Sequence, residues 1–128
     1  MPGFGKKSME NLAQCHEDLQ VLFNEVILTI DCSVICGHRG KKAQQEAYND
    51  GFSKVQYPNS KHNSIPSLAA DVVPFPIDWK DVDRFNYFGE FVLRTAKRLL
   101  KEGRINHVIE WGGTWDKFRD YPHYQVRV

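Results

Sequence analysis

The chain has 128 residues, with 17 Lys and Arg against 16 Asp and Glu, so its net charge at pH 7 is +1. So even a balance speaks against a nucleic-acid binder that works by phosphate neutralisation, and against electrostatic docking on anionic lipid. With 41% hydrophobic and 26% charged residues the composition is that of one soluble globular domain, 1–128, and no apolar run nears the ~20 residues of a membrane span.

The opening stretch, MPGFGKKSMENL, has a basic pair with no apolar segment behind it, which predicts no cleaved secretory signal and synthesis in a cytoplasm. Cys15, Cys32 and Cys36 are odd in number and their spacing fits no zinc knuckle. They read as small buried or half-buried thiols in a reducing compartment.

Leu12, Cys15, Leu19, Leu22, Phe23, Val26 and Ile27 recur at steps of three and four, predicting an amphipathic helix over 8–28. Cys32–Cys36 is short and β-branched before Gly37, a strand. Lys41–Asp50, closed by Gly51, is a second helix. Residues 52–66, polar and holding Pro58 and Pro66, form a long loop. Leu68–Pro74 is the second strand. Phe85, Phe88, Val92, Ala96 and Leu99 mark a third helix of about five turns, stopped by Gly103.

Asn106–Trp111 and Tyr121–Val128 complete the set as strands, the last with Tyr124, Val126 and Val128 on one face and His123, Gln125 and Arg127 on the other. The order α, β, α, β, α, β, β predicts an α+β domain, a small sheet with helices on one face. Asp71 and His123 are then able to meet on the open face.

Asp71 interrupts the apolar run LAADVV, where a carboxylate is costly unless it is paired or bound to a cation. It is either bonded to backbone at a strand end or a ligand. His62, nine residues earlier, and His123 would complete a set of two imidazoles and one carboxylate, that of a catalytic zinc. HExxH is absent.

Asp120 precedes His123 by three residues, so it is either part of a surface turn or a general base beside the site, with Glu110 the next candidate. Arg39, after a strand end and a glycine, is either a surface cation or a planar fork for a carbonyl or carboxylate. His16 reads as a solvated residue and His107 as structural.

Three stretches, GHRGKKAQQEAYNDGFSK, SKHNSIPSLAADVVPFP and EWGGTWDKFRDYPHYQV, together resemble the zinc D-Ala-D-Ala carboxypeptidase-like family. Within it the chain is most similar to the phage and prophage L-alanyl-D-glutamate endopeptidases that serve as endolysins. SKH…AxD and the final D-x-P-H-Y are the most telling, and the resemblance runs over 10–128. It implies an α+β fold with a small antiparallel sheet, shared with the Hedgehog signalling domain.

The resemblance further implies His62, Asp71 and His123 as zinc ligands, Asp120 as general base, and Arg39 as a group that stabilises the oxyanion or binds substrate. Gln44 and Ser60 match positions beside the site and are expected to bind substrate in supporting roles. Trp111 and Trp115 match a W-G-G-x-W turn that packs under the site. Cys36 stands where a serine is common and is given no role.

The step from His62 to Asp71 is longer than in the compact family form, as in some phage members. The Asp base, in place of the Glu of D-Ala-D-Ala dipeptidases, points towards the endopeptidase branch. The expected function is zinc-dependent hydrolysis of the L-Ala–D-Glu bond of peptidoglycan stem peptides. The alternatives are a D-Ala-D-Ala carboxypeptidase and a non-catalytic, zinc-stabilised wall-binding module. A monomer is expected, without stable membrane association, reaching the cell wall after release from the host cytoplasm.

Overall fold

The structure, a computed structural model, describes residues 3–128. The helix expected over 8–28 is two helices, α1 (Lys6–Ala13) and α2 (Glu17–Val26). The break is made by a distant residue. Ser67 donates its N–H to the Gln14 carbonyl at 2.9 Å and accepts from the His16 N–H at 2.8 Å. The Gln14 carbonyl and the His16 N–H, which a continuous helix would use internally, are thus spent on Ser67. His16, expected in solvent, caps α2, its Nδ1 accepting from the Asp18 N–H at 3.0 Å. Leu12, Cys15 and Leu19 still reach one core, which is why the apolar spacing runs through the break.

The strands are β1 (Cys32–Cys36), β2 (Ala69–Pro74), β3 (Ile109–Trp111) and β4 (His123–Val126). They form one antiparallel sheet in the order β1-β2-β4-β3. β3 and β4 are shorter than expected. At the start of the β3 segment, the Asn106 N–H and His107 Nδ1 both turn to the Asp18 carboxylate, at 2.9 and 2.8 Å, rather than to the sheet. That tie gives His107 the structural role expected of it.

Two helices cover one face of the sheet: α2 and the 20-residue α4 (Val82–Lys101). Leu19, Leu22 and Phe23 from α2 and Phe88, Val92 and Leu99 from α4 pack on Val34, Val72, Tyr124 and Val126 of the strands. α4 is capped by Asp81, whose side chain accepts from the Arg84 N–H, and ends before Gly103, whose φ of +76° an L side chain would resist. α1 lies along the free edge of β1. Asn11 donates to the Val34 carbonyl and Ser8 accepts from the Val34 N–H, which covers groups an edge strand would otherwise expose. Among the described residues no helix is long and apolar enough to cross a membrane.

α3 (Lys41–Asn49) contributes nothing to this core. The loop after it builds one wall of a groove on the opposite side of the sheet, where Phe52, Ser53 and Val55 line the space. Strand alternation sets Asp71 towards that groove: Ala70 and Val72 enter the core, so Asp71 between them points the other way.

Candidate active site

A groove of about 750 Å³ holds Asp71 at its floor, with His62, His123, Asp120 and Arg39 around it. Each arrives from a different element. His62 sits in a single 3-10 turn, Lys61–Asn63, capped by Ser60, whose hydroxyl accepts from the His62 N–H at 3.2 Å. His123 opens β4 directly opposite Asp71 in the ladder. In β1 the register slips: Val34 faces Val72, but Cys36 faces Asp71, leaving Ile35 as an extra residue. Such a bulge re-aims the strand end, here putting Cys36 and the turn to Arg39 beside the groove.

Asp71 Oδ1 lies 3.2 Å from His62 Nε2 and 3.5 Å from His123 Nδ1. Its Oδ2 lies 3.5 Å from Arg39 Nη2. The far nitrogen of each ring is engaged elsewhere. His62 Nδ1 is 2.8 Å from the Gly37 carbonyl, which only accepts, so that nitrogen carries a proton and Nε2 is the one turned to Asp71. His123 Nε2 is 2.8 Å from Gln125 Oε1. The two rings stand edge to face with centroids 5.1 Å apart.

Charge follows from this placement. Burial alone would depress His62, yet its hydrogen bonds to Asp71 and Cys36 outweigh burial and push the imidazole up to about 10. Burial alone would raise Asp71, yet hydrogen bonds from His123 and His62 hold it well below the usual carboxylate range. Asp120 stands 3.8 Å from His123 Nδ1, and burial together with the Asp71 charge raises its carboxyl. Glu110, the other candidate base, goes the opposite way. Despite some burial, bonds from Gln125 and Arg127 keep it low, which makes it a weaker proton acceptor.

Among the described residues, two groups of side chains could hold a metal ion: Cys36–His62–Asp71 and His16–Asp18–His107. In the first, Cys36 Sγ lies 3.8 Å from His62 Nδ1, the nitrogen already bonded to Gly37, whereas His123 offers Nδ1 on the same side as Asp71 and His62 Nε2. A carboxylate with two imidazole nitrogens turned towards it, at the floor of a groove, is a donor set that suits a divalent cation of the zinc type once those nitrogens give up their protons. In the second group the Asp18 carboxylate is committed to Asn106 and His107, joining α2 to the β3 segment, and His16 Nδ1 to the first turn of α2.

Gln44, expected to touch substrate, is wholly buried. Its Nε2 donates to Ser53 Oγ and the Val55 carbonyl, and its Oε1 accepts from Arg39 Nη1 at 3.1 Å. It braces Arg39 and the loop from behind, with no free amide group to offer a ligand. Trp111 is in the core, stacked on Tyr124, and Trp115 flanks His123 at the groove, centroids 5.1 Å apart.

Sequence reasoning missed Asn63, Gln125 and the Gly37 carbonyl. Asn63 completes the capping box of the His62 turn and donates to the Arg39 carbonyl. A Ser followed three residues later by Asn was a legible signal for it. Gln125, on the same strand face as His123, was legible from the alternation, but its contact was not.

The family model for phage L-alanyl-D-glutamate peptidases matches residues 2–127. Among solved structures, the chain is similar to the L-Ala D-Glu endopeptidase ChiX of Serratia marcescens, with TM-score 0.75 and 26% identity over 98% of this chain and 91% of that one. No curated protein sequence matches significantly. With the match spanning nearly its whole length, the chain belongs to the phage L-alanyl-D-glutamate peptidase family and is a peptidoglycan peptidase.

Proposed function

We propose that the protein, as a single domain, cuts the L-Ala–D-Glu bond of peptidoglycan stem peptides as an endolysin, with a zinc ion held by His62 Nε2, Asp71 and His123 Nδ1. The observation that carries this is the pair of rings whose far nitrogens are tied off while the other two converge on Asp71. When bound, zinc supplies Lewis acidity to the scissile carbonyl and lowers the pKa of water to about 7.

The chain's own groups do the rest. Asp120 takes a proton as the water oxygen bonds to the carbonyl carbon. As the C–N bond breaks, it returns that proton to the leaving D-Glu amine. Its raised carboxyl suits that exchange. Arg39, steadied by Gln44, presents a cation at the groove for the developing oxyanion or the D-Glu carboxylate. Ser60 holds the His62 turn in place. Lys54 and Lys61 line the same groove and suit an anionic stem.

Digestion of purified sacculi by the zinc-loaded protein, followed by mass spectrometry and end-group analysis, tests the bond. Stem peptides with a new amino-terminal D-Glu are expected, with L-Ala left on the muramyl group. Accumulation of free D-Ala without new amino-terminal Glu would overturn the endopeptidase assignment in favour of carboxypeptidase action. An inert, zinc-binding protein would favour a wall-binding module.

A further inference from the structure

We propose that Glu110 and Gln125 form a directional hydrogen-bond relay that sets the tautomer of His123, and that both are positioning residues for the metal site. The proposal rests on the reading of His123 as a ligand through Nδ1. Across the open face of the sheet, Glu110 on β3 is the ladder partner of Gln125 on β4, and Gln125 shares its face with His123 two residues before it. His123 in turn faces Asp71 on β2.

The direction of the relay follows from what each group can do. Glu110 is pinned by Arg127, whose Nε and Nη2 both lie 3.2 Å from its Oε2. Its other oxygen, Oε1, is 3.0 Å from Gln125 Nε2. A carboxylate only accepts, so the Gln125 amide must turn its NH₂ to Glu110 and its carbonyl to His123. At 2.8 Å from that carbonyl, His123 Nε2 must carry the proton. That leaves Nδ1, the atom 3.5 Å from Asp71, as the nitrogen whose lone pair is available to a metal once the ring is neutral. With the amide reversed, an oxygen would face a carboxylate and an N–H would face the ring.

His62 reaches the mirror-image result with one backbone carbonyl, that of Gly37. His123 needs two side chains because the atom beyond its Nε2 belongs to a strand side chain. Partners of this kind orient a ligating imidazole, and their loss costs roughly 10–100-fold in metal affinity.

The test is zinc affinity by chelator competition, with the His123 tautomer read by long-range ¹H–¹⁵N NMR on metal-free protein. Gln125→Leu should weaken zinc by roughly 10–100-fold. The exchange Glu110→Gln with Gln125→Glu keeps the direction of donation, since the amide at 110 then donates to a carboxylate that accepts from His123. It should recover affinity that Gln125→Leu loses, which a merely structural role would not predict.

At a pH where the ring is neutral, wild-type His123 should appear as the Nε2–H tautomer. Wild-type affinity in Gln125→Leu, no recovery in the exchange, or an Nδ1–H tautomer in the wild type would each overturn the relay. A wild-type protein that shows the Nε2–H tautomer but binds no zinc would overturn the ligand reading instead, so the two failures are distinguishable. The tautomer measurement needs no variant to fold.

Discussion

Asp71 and His123 are direct partners across the β2–β4 ladder, and on the groove face Asp71 Oδ1 comes within 3.5 Å of His123 Nδ1. A ladder contact is set by the backbone, so two of the three proposed ligand side chains are positioned before any ion arrives. The third, His62, comes from a short capped turn.

From this, the purified protein should hold one zinc per chain. Asp71→Asn and His123→Ala should each lose most of it, because three protein ligands leave little redundancy. Metal analysis after dialysis checks the point. Full occupancy in either variant would remove that residue from the ligand set.

Asp120→Asn keeps the size of the side chain and removes the proton acceptor. It should retain zinc and fold while turnover on murein falls ~10²-fold or more. Glu110→Gln should not reproduce that loss with zinc saturating, because Glu110 faces Gln125 and Arg127 rather than the groove centre. Initial rates on sacculi at saturating metal separate the two carboxylates, and near wild-type turnover in Asp120→Asn would falsify its role as base.

Gly89 in α4 meets the indole of Trp111 where a Cβ would stand. In an open helix, Gly→Ala stabilises by about 1 kcal/mol. Here Trp111 cannot retreat: its Nε1 donates to the Tyr121 carbonyl at 2.7 Å and its ring stacks on Tyr124. Gly89→Ala should therefore destabilise, by about 1–3 kcal/mol from overpacking. A urea melt followed by tryptophan fluorescence gives the sign, and a more stable variant would show that the indole moves.

Burial, with smaller contributions from neighbouring negative charge, pushes the Cys15 and Cys32 thiols up to about 12. The thiolate is the reactive form, so both should stay protonated and unmodified by iodoacetamide as the pH rises from 7 to 9. Cys36, half-buried beside the groove, should be modified first. Peptide mapping after timed alkylation of the folded protein reads this directly. Cys15 reacting ahead of Cys36 would mean that the corner at residues 14–16 opens readily.

Much of this protein was legible in its sequence because the relevant physics is local. The apolar steps from Phe85 to Leu99 state a helix, and the alternation around Asp71 states which way a carboxylate must point. The sequence motifs around His62, Asp71, Asp120 and His123 named the groups that the fold brings into one groove.

Other features depend on residues far apart in the chain, where periodicity carries no information. Ser67 breaks the first helix with backbone bonds to Gln14 and His16 that no local pattern at 8–28 encodes. The bulge at Ile35 exists only as a mismatch between β1 and β2. Gln44 has a side chain fit for a ligand, and only burial against Arg39, Ser53 and Val55 turned it inward. The tautomer of His123 lies furthest from the sequence: it depends on a carboxylate one strand away, through an amide that could have faced either direction until Glu110 and Arg127 met.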